Sequence, residues 1–524
     1  MFGFRTRRPA LLEPLQAARW DGAALTLNLA AGATARVALD LDGVFFTDAA
    51  VDASGCARFA FPFAPNGRDA FDLLPRLARA GDVLARHPLR VAPGRAGIAA
   101  ARTPAPEPVV LARAASQLLP FGTDTGAVEV AIVVPVHDAP ALVERCLDAV
   151  LAHTSGRARL IVIDDASTDP AIAPLLARHA SRARVTVLRN DRNRGFTATA
   201  NRGIAQAGRA DVVLLNADAE VGPNWLAGLV RAAYSADAVA SATAVSDNAG
   251  AFSVPELEQA NALPATWSFA QTARALWQEA GLAYPQLPTG NGFCLYLRRD
   301  ALDAAGMLDE DAFAQGYGEE NDWCQRACAR GRGHLVAGNV LVRHARSASF
   351  GEERRASLGR AGMAVLRQRW PDYEREVGEQ LFSFERRVLD WRVRGVFARA
   401  AAARAPLPRL LWVGAGAPAW SDAEVWTLRA NGDRNELVRA GEVIAANRWD
   451  ARDPETSYRA LWDWLQQYAF ERLVMVERKD SAAEILCRLL AIPVALVAQP
   501  FAASAREALA AAESALRSFP ESPA

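Results

Sequence analysis

The sequence predicts an α/β protein in which a central domain is flanked by a β-rich N-terminal domain and a small α/β C-terminal domain. Its 524 residues exceed what one ordinary hydrophobic core holds, so two or three domains are expected. Apolar strands alternate with helical segments after residue 128, whereas short alternating runs fill the first hundred residues. The expected parts are a β-rich accessory domain at 1–105, a linker at 106–127, a central domain at 128–350, a helical extension at 351–405 and a small α/β domain at 406–524.

The first hundred residues read as a small antiparallel β domain. Residues 25–29, 36–41 and 58–63 alternate between apolar and polar side chains, and Gly and Asp turns separate them. A segment rich in Pro, Gly and Ala at 92–108 ends this region.

The central domain shows repeated strand and helix signals. Strands are predicted at 128–136, 159–164, 185–190 and 210–215, and helices at 142–153 and 197–208. Strands that are apolar throughout predict a parallel sheet covered on both faces, in which ligands bind beyond the carboxyl ends of the strands. The polar residues at those ends are His137, Asp138, Asp164, Asp165, Asn216 and Asp218.

The chain beyond residue 350 begins with a helix-rich stretch. Two interpretations of 384–404, which mixes Arg with large apolar residues, stay open: an amphipathic helix on an anionic membrane surface, or an arginine-rich helix packed on the protein. A β/α region follows from residue 409, and its first turn at 414–419 only half matches a dinucleotide-binding fingerprint.

Composition excludes several classes of partner and compartment. The formal net charge is +0 and the charges are spread along the chain, so nucleic acid is not expected as a partner. The six cysteines show no framework spacing, which indicates a reducing compartment. No apolar run reaches about 20 residues. We expect a cytoplasmic protein, with peripheral contact at the inner face of the membrane if 384–404 binds lipid.

Four polar residues at 319–322, Glu-Glu-Asn-Asp, precede a predicted helix. Acids there complement the positive end of the helix dipole, which is one explanation. The other is catalysis, because a carboxylate can take a proton from an attacking hydroxyl. Glu320 is then the first candidate for the base, Glu319 the second and Asp322 the third, unless Asp322 only orients the helix.

Two further side chains fit a divalent cation. Asp218 and His344 each follow a predicted strand, and carboxylate and imidazole can hold Mn²⁺ or Mg²⁺ with positions left open for phosphate oxygens. Asp164 and Asp165 can accept hydrogen bonds from a nucleobase and a ribose, or can cap a helix. The loop at Asn193 to Gly195 offers a glycine where backbone can approach a ligand closely.

Several short motifs occur in a characteristic order. They are PVHD at 135–138, DDASTD at 164–169, NRGF at 193–196, LLNADAEV at 214–221, TGNGFCLYLRRD at 289–300, GYGEENDWC at 316–324 and RHARSASFG at 343–351. Together they resemble the family 2 glycosyltransferases, which are inverting enzymes with the Rossmann-like GT-A fold. The resemblance covers roughly residues 128–350. The ordered set of motifs is far more specific than any one motif.

The resemblance implies a role for individual residues. Glu320 or Glu319 would be the catalytic base, and Asp218 and His344 would bind the metal. Nucleotide-binding residues would be Pro135, His137, Asp164, Asp165, Asn193, Gly195 and Asn216. The donor and acceptor pocket would be lined by Asn248, Gly290, Asn291, Gly292, Asp322 and Trp323. Two departures stand out, because Asn216 replaces the first acid of the family's Asp-x-Asp and Glu320 replaces its catalytic Asp.

The expected activity is transfer of a sugar, with inversion, from a UDP- or dTDP-sugar to a saccharide or lipid-linked saccharide. The segment 246–255 resembles members that build O-antigen and other surface polysaccharides, and 406–524 resembles half of a GT-B-type domain. A sugar-nucleotide pyrophosphorylase would need a lysine in its active domain, but the single lysine here is Lys479. The alternative from another class is a non-catalytic carbohydrate-binding scaffold with a degenerate centre.

Overall fold

The structure is a computed structural model, and the part of the chain that it describes has gaps. It describes residues 15–30, 36–41, 44–61, 70–77, 84–85, 88–100, 128–154, 158–280, 284–345, 352–400, 404–448, 461, 464–465, 468–476, 482–489, 492–498 and 501–517. The predicted linker at 106–127 and the end of the last motif at 346–351 lie outside these residues.

The chain divides into two compact units. One contains residues 1–115, 409–479 and 495–524, and the other contains residues 116–408 and 480–494. The helical extension after residue 351 therefore belongs to the same unit as the central domain. Among the helices that the structure describes, none is long and apolar enough to cross a membrane.

The N-terminal part of the first unit contains two antiparallel sheets. One has the order β1-β2-β5 and the other β4-β3-β6-β7-β8. Alternation buries Leu25, Leu27 and Leu29 on one face of the first sheet. The strands are β1 (Leu15–Trp20), β2 (Ala24–Leu29), β3 (Arg36–Leu41), β4 (Val44–Ala50), β5 (Cys56–Ala60), β6 (Phe71–Leu77), β7 (Leu89–Ala92) and β8 (Arg95–Ala100).

The C-terminal part of this unit is a mixed sheet of order β21-β20-β19-β18-β22-β23. Its strands are β18 (Arg409–Val413), β19 (Glu424–Asn431), β20 (Arg434–Arg439), β21 (Glu442–Arg448), β22 (Arg472–Met475) and β23 (Val494–Leu496). The described residues 414–423 contain no helix, so the glycine turn after β18 does not lead into the helix that a dinucleotide fingerprint requires. The hairpin of β19 and β20 was not anticipated from the sequence.

The second unit is built on a nine-stranded sheet of order β11-β10-β9-β12-β16-β14-β17-β13, with β15 paired to β17. Its strands are β9 (Val130–Val136), β10 (Arg159–Asp164), β11 (Val185–Arg189), β12 (Asp211–Leu215), β13 (Ala219–Val221), β14 (Val239–Ser246), β15 (Gln286–Leu287), β16 (Cys294–Leu297) and β17 (Gly333–His344). The first four strands in this order are parallel, as predicted. The expectation of a parallel sheet fails at β16, which is antiparallel to β12 and β14.

Both faces of this sheet are covered, and the alternation of β9 shows how. Ile132 and Val134 point into one core, whereas Ala131 and Val133 point into the other. Side chains two residues apart share a face of a strand, so a continuous apolar run serves two cores at once.

Helices supply the two outer layers of the second unit. They are α1 (Pro140–His153), α2 (Ile172–Ala180), α3 (Phe196–Gln206), α4 (Trp225–Ala233), α5 (Phe269–Glu279), α6 (Arg299–Ala305) and α7 (Glu319–Cys328). Helices α1, α2, α4 and α5 bury side chains in the first core, and α3, α6 and α7 in the second.

Three helices extend this unit, followed later by a fourth: α8 (Glu352–Arg369), α9 (Tyr373–Leu381), α10 (Phe384–Ala400) and α11 (Ala482–Leu489). The helix of the first unit near the end of the chain is α12 (Ala505–Arg517). Leu389, Val393 and Val396 of α10 are buried in the first core. Those three apolar side chains are therefore occupied by protein, which favours the packing interpretation of 384–404.

Candidate active site

Two adjacent carboxylates follow β10 and are both buried. Asp164 accepts from the backbone N–H of Ser167 at 2.8 Å and forms an ion pair with Arg189. Asp165 accepts from the side chain of Asn190 at 2.6 Å and from the backbone N–H groups of Arg194 and Gly195 at 2.8 and 2.9 Å. The carboxylate of Asp165 thus fixes the 193–195 loop.

Gly195 is in the left-handed region, with φ 84°. A Cβ at this position would lie 2.2 Å from the carbonyl oxygen of Ala314. Close packing against the 314 backbone and the positive φ both require glycine here. Packing within the protein accounts for the glycine, and its expected approach to a ligand stays a prediction.

His137 lies beside this loop at the end of β9. Its Nδ1 is 3.1 Å from the carbonyl oxygen of Asp165, and its Nε2 is 3.3 Å from Nδ2 of Asn193. The neighbouring Asp138 accepts from the backbone N–H of Thr168 and of Asp169, and the bond from Asp169 is the main cause of its lowered pKa. The structure therefore brings His137, Asp165 and Asn193 together.

The metal candidates also meet. Nε2 of His344 lies 3.2 Å from Oδ1 of Asp218, and the two side chains are 11% and 15% exposed. The strand pairing explains the meeting, because β13 runs antiparallel to β17 with Ala219 opposite His344. Residues 126 positions apart along the chain, 344 − 218, are thus neighbours across one ladder.

The ring of His344 has a defined orientation. Its Nδ1 lies 3.0 Å from the carbonyl oxygen of Asn248, its backbone N–H donates to Asp247 Oδ1 at 2.9 Å, and Phe293 stacks on it at 5.2 Å. A carbonyl can only accept, so Nδ1 carries the hydrogen. In the neutral ring, the lone pair of Nε2 then faces the carboxylate of Asp218.

A carboxylate oxygen and a ring nitrogen at this distance can pair directly when Nε2 carries a hydrogen, or can bind a cation between or beside them when it does not. Carboxylate oxygen and imidazole nitrogen are ligands that Mn²⁺ accepts. A carbonyl that fixes the tautomer of a ligating histidine is the usual support for such a ligand. The two residues therefore fit a divalent metal. The described residues contain no group of three His, Cys, Asp or Glu that could hold one alone, so other ligands would come from substrate and water.

Glu319 and Glu320 begin α7 and form a pair. Each side chain is hydrogen-bonded to the other, and Oε2 of each is buried with no partner among the described residues. Burial raises the pKa of both, and the negative charge of Glu320 raises the pKa of Glu319 further. A hydrogen bond between two carboxyl groups requires a proton on one of them, so burial and this contact both favour a pair that carries one proton.

Gly292 and Phe293 link the acid pair to the Asp218–His344 pair. The backbone N–H of Gly292 donates to the Glu320 carboxylate. Phe293 stacks on His344, and its carbonyl accepts from the backbone N–H of Asn216 at 3.0 Å. The side chains expected to converge are thus connected through one short segment.

Asp322 and Trp323, expected in the donor and acceptor pocket, are both buried. Asp322 accepts from Arg326 at 2.8 Å, Trp370 at 3.0 Å and Arg369 at 3.2 Å. Trp323 is 0% exposed and donates to the carbonyl of Gly306 at 2.9 Å. Their hydrogen bonds are made within the protein, and their role toward a ligand stays a prediction.

The remaining predicted residues lie in the same unit as this site. Asn216 follows β12, and Asn248 follows β14 and contacts His344. Gly290 and Gly292 are buried, and the partly buried Asn291 accepts from the backbone N–H of Phe293 at 3.2 Å. Pro135 is partly buried within β9, one strand from β10.

Two contributors to the site, Asn190 and Phe293, were missed in the sequence. Asn190 follows β11 and bonds Asp165, and its position at a strand end was a signal that could have found it. No sequence pattern indicated a role for Phe293, because nothing in the sequence places it against His344. His334 lies on β17, the strand that ends at His344. It is buried between Ser241 and the carbonyl of Cys324, and burial lowers its pKa to about 4. It is a structural residue.

Residues 131–304 match the family described as Glycosyl transferase family 2. The match covers about a third of the chain and falls within the central domain. The matched range extends from β9 into α6, so Asp165 and Asp218 fall within it, whereas Glu320 and His344 lie beyond its end.

Three individual proteins show weaker similarity. The uncharacterized protein y4gI of Sinorhizobium fredii is 24% identical over 261 residues, which are 47% of this chain and 28% of that protein. The structure of GalNAc-T7 with UDP, GalNAc and Mn²⁺ has 19% identity, a TM-score of 0.34, and coverage of 42% of this chain and 44% of that one. The mannosyltransferase PcManGT of Pyrobaculum calidifontis, in complex with GDP-Man and Mn²⁺, has 19% identity, a TM-score of 0.36, and coverage of 56% and 82%.

Proposed function

We propose that this chain is an inverting glycosyltransferase that moves a sugar from a UDP- or dTDP-sugar to a saccharide acceptor, free or lipid-linked, in surface polysaccharide biosynthesis. The observation that carries the proposal is the meeting of Asp218 and His344 beside an acid pair, joined through Gly292 and Phe293. Asp218 lies within the range that matches the family, and Glu320 and His344 lie beyond it. All three belong to the same compact unit.

The chemistry assigns Glu320 as general base. The acceptor hydroxyl attacks the anomeric carbon, its proton passes to Glu320, and the bond from that carbon to the diphosphate oxygen breaks on the opposite face. A buried carboxylate with a raised pKa suits a proton transfer near neutral pH. Glu319 keeps the shared proton and holds Glu320 in place through their hydrogen bond.

Asp218 and His344 would hold a divalent cation, and that cation, when bound, would neutralise the leaving diphosphate. The chain's part is to present one carboxylate oxygen and one imidazole nitrogen with a fixed tautomer. Asp165, Asn193 and His137 would form the nucleotide end of the site, with Asp165 acting through the loop that it fixes.

Nucleotide-dependent thermal stability tests the binding half of the proposal. UDP, dTDP and GDP, with and without Mn²⁺, would be compared on wild type and Asp218→Ala. Loss of one anionic ligand should abolish the metal-dependent rise in melting temperature, because His344 alone holds the ion weakly. An equal rise in the variant would remove Asp218 from the metal site.

Transfer assays test the catalytic half. Glu320→Gln keeps the shape and the hydrogen bond to Gly292 but cannot take a proton, so nucleotide binding should persist while transfer falls about 100-fold or more. Asp309→Asn is a matched control, since that acid pairs with Arg369 on α8. A chain that binds nucleotide yet transfers no sugar in any donor and acceptor combination would instead be a scaffold.

A further inference from the structure

Arg386 is a fully buried arginine on α10, outside the matched range. Its side chain is 0% exposed, and Nε donates to Asp390 at 2.9 Å. Its two terminal nitrogens donate to the carbonyl oxygens of Ala251 and Ser253 at 2.6 and 2.7 Å. Burying a guanidinium costs free energy unless its nitrogens are hydrogen-bonded, and each of the three nitrogens of Arg386 donates one of these bonds.

The two carbonyls belong to a closed loop, here the 246–254 loop. Its ends are tied by the backbone bond from Val254 N–H to Ser246 at 2.9 Å, and the Ser253 hydroxyl accepts from the backbone N–H of Ala249 at 2.9 Å. The backbone N–H of Asn261 also donates to the carbonyl of Asp247 at 2.7 Å. Arg386 thus supports this loop from outside, and its support comes from the helical extension.

The same loop orients His344. Asp247 accepts from the backbone N–H of His344, and the carbonyl of Asn248 faces its Nδ1. A continuous set of hydrogen bonds therefore runs from Arg386 through the loop to the ring whose Nε2 meets Asp218.

We propose that Arg386 is a positioning residue for His344: it holds the 246–254 loop so that the Asn248 carbonyl fixes the ring and Nε2 faces Asp218. The helical extension would then help to orient a metal ligand of the active site. This inference deepens the proposed function, although the orientation of His344 is measurable without it.

Another buried arginine on the same helix provides a matched control. Arg392 donates to the carbonyl of Ala280 at 2.6 Å, which lies at the end of α5 and away from the 246–254 loop in the chain. Arg386→Lys and Arg392→Lys both keep a positive charge and both lose the guanidinium fork. They should lower the melting temperature to a similar extent, but only the first should disturb His344.

Histidine nitrogen NMR on the full-length chain measures the orientation. The protein has six histidines, and His344→Gln assigns the signal. Wild type should show His344 with the hydrogen on Nδ1. In Arg386→Lys this signature should shift or average between tautomers, whereas in Arg392→Lys it should stay as in wild type. An unchanged signal in Arg386→Lys, or an equal change in both variants, would overturn the proposal.

Mn²⁺ titration gives an independent readout. Residues that support a metal ligand alter affinity by about 10- to 100-fold, so Arg386→Lys should weaken Mn²⁺ binding by about that factor and Arg392→Lys should not. If Arg386→Lys does not fold, Ser253→Ala removes one hydroxyl from the same loop and should produce a smaller change of the same kind in both measurements. Unchanged results in Ser253→Ala would then count against the proposal. A dependence of His344 on Arg386 in a chain that transfers no sugar would leave this inference standing and reject the proposed function.

Discussion

At the scale of single residues, the acid pair at the start of α7 is the most informative feature. Adjacent Glu319 and Glu320 share one proton in a buried setting, and both carry a raised pKa. A raised carboxyl pKa adds stability below the ordinary carboxyl value, and this contribution is lost as pH rises through the raised value. The pair is therefore retained at a cost to neutral-pH stability, as expected of groups kept for chemistry.

Replacing Glu319 tests whether the pair carries a shared proton. Glu319→Gln still donates to Glu320 but does not titrate, so it should raise the free energy of unfolding at pH 7 by about 1 to 2 kcal/mol. The gain should shrink as pH falls towards about 4, where Glu319 is protonated in the unfolded wild type as well. Urea denaturation at several pH values measures it, with the exposed Glu385→Gln as control. A variant destabilised equally at pH 4 and pH 7 would contradict the shared proton.

Asp165 is a residue whose hydrogen-bond partners could not be predicted from the sequence. Its place after a strand predicted a polar contact, but the identity of the partner needed coordinates. Asn190, Arg194 and Gly195 lie 25 to 30 positions away along the chain, and they reach Asp165 because β10 and β11 are neighbours. The role of Asp165 toward a nucleotide stays a prediction.

At the scale of elements, local propensity and packing disagree at Gly203 in α3. Alanine is a better helix former than glycine by about 1 kcal/mol. A Cβ at Gly203 would, however, lie 2.2 Å from Cγ1 of Val133 and 2.9 Å from Cδ1 of Ile163. The helix lies directly on β9 and β10, and glycine permits that approach.

Gly203→Ala should therefore destabilise the protein by about 1 to 3 kcal/mol through overpacking. Gly378→Ala in α9 is the matched control, because no described atom outside its own helix turn lies within 4 Å of the position that the added methyl group would take. That control should be neutral or stabilising by up to about 1 kcal/mol. Thermal unfolding distinguishes the two, and a stabilised Gly203→Ala would mean that α3 lies farther from the sheet.

The elements of the central domain were largely predictable. The strands at β9, β10 and β12 and the helices α1 and α3 follow from apolar periodicity, which depends on nearby residues only. The antiparallel β16 was not predictable, because strand direction in a sheet depends on pairing between distant segments. The same limit applies to Asp322 and Trp323, because their burial depends on the segments that pack against α7.

At the scale of the whole molecule, the chain has two compact units, and the proposed site belongs entirely to one of them. A ligand stabilises only the unit that binds it. Scanning calorimetry should show two unfolding transitions, because separate units need not unfold together. Saturating Mn²⁺ with the best nucleotide of the thermal panel should raise one transition and leave the other in place.

The control for this experiment is Asp218→Ala, in which neither transition should move with the ligand mixture. A single transition that shifts as a whole would show that the two units unfold cooperatively. It would also leave the assignment of the site to residues 116–408 without calorimetric support.

The sequence by itself determined the strand and helix alternation of the centre, the order of its motifs and the candidates Asp218, Glu320 and His344. These depend on local periodicity and on side-chain chemistry, both of which are written in neighbouring residues. Only the tertiary structure decided that Asp218 faces His344, that Glu319 and Glu320 share a proton, and that Arg386 reaches the loop behind His344. Those facts depend on register and burial, which arise when segments more than a hundred residues apart pack against each other.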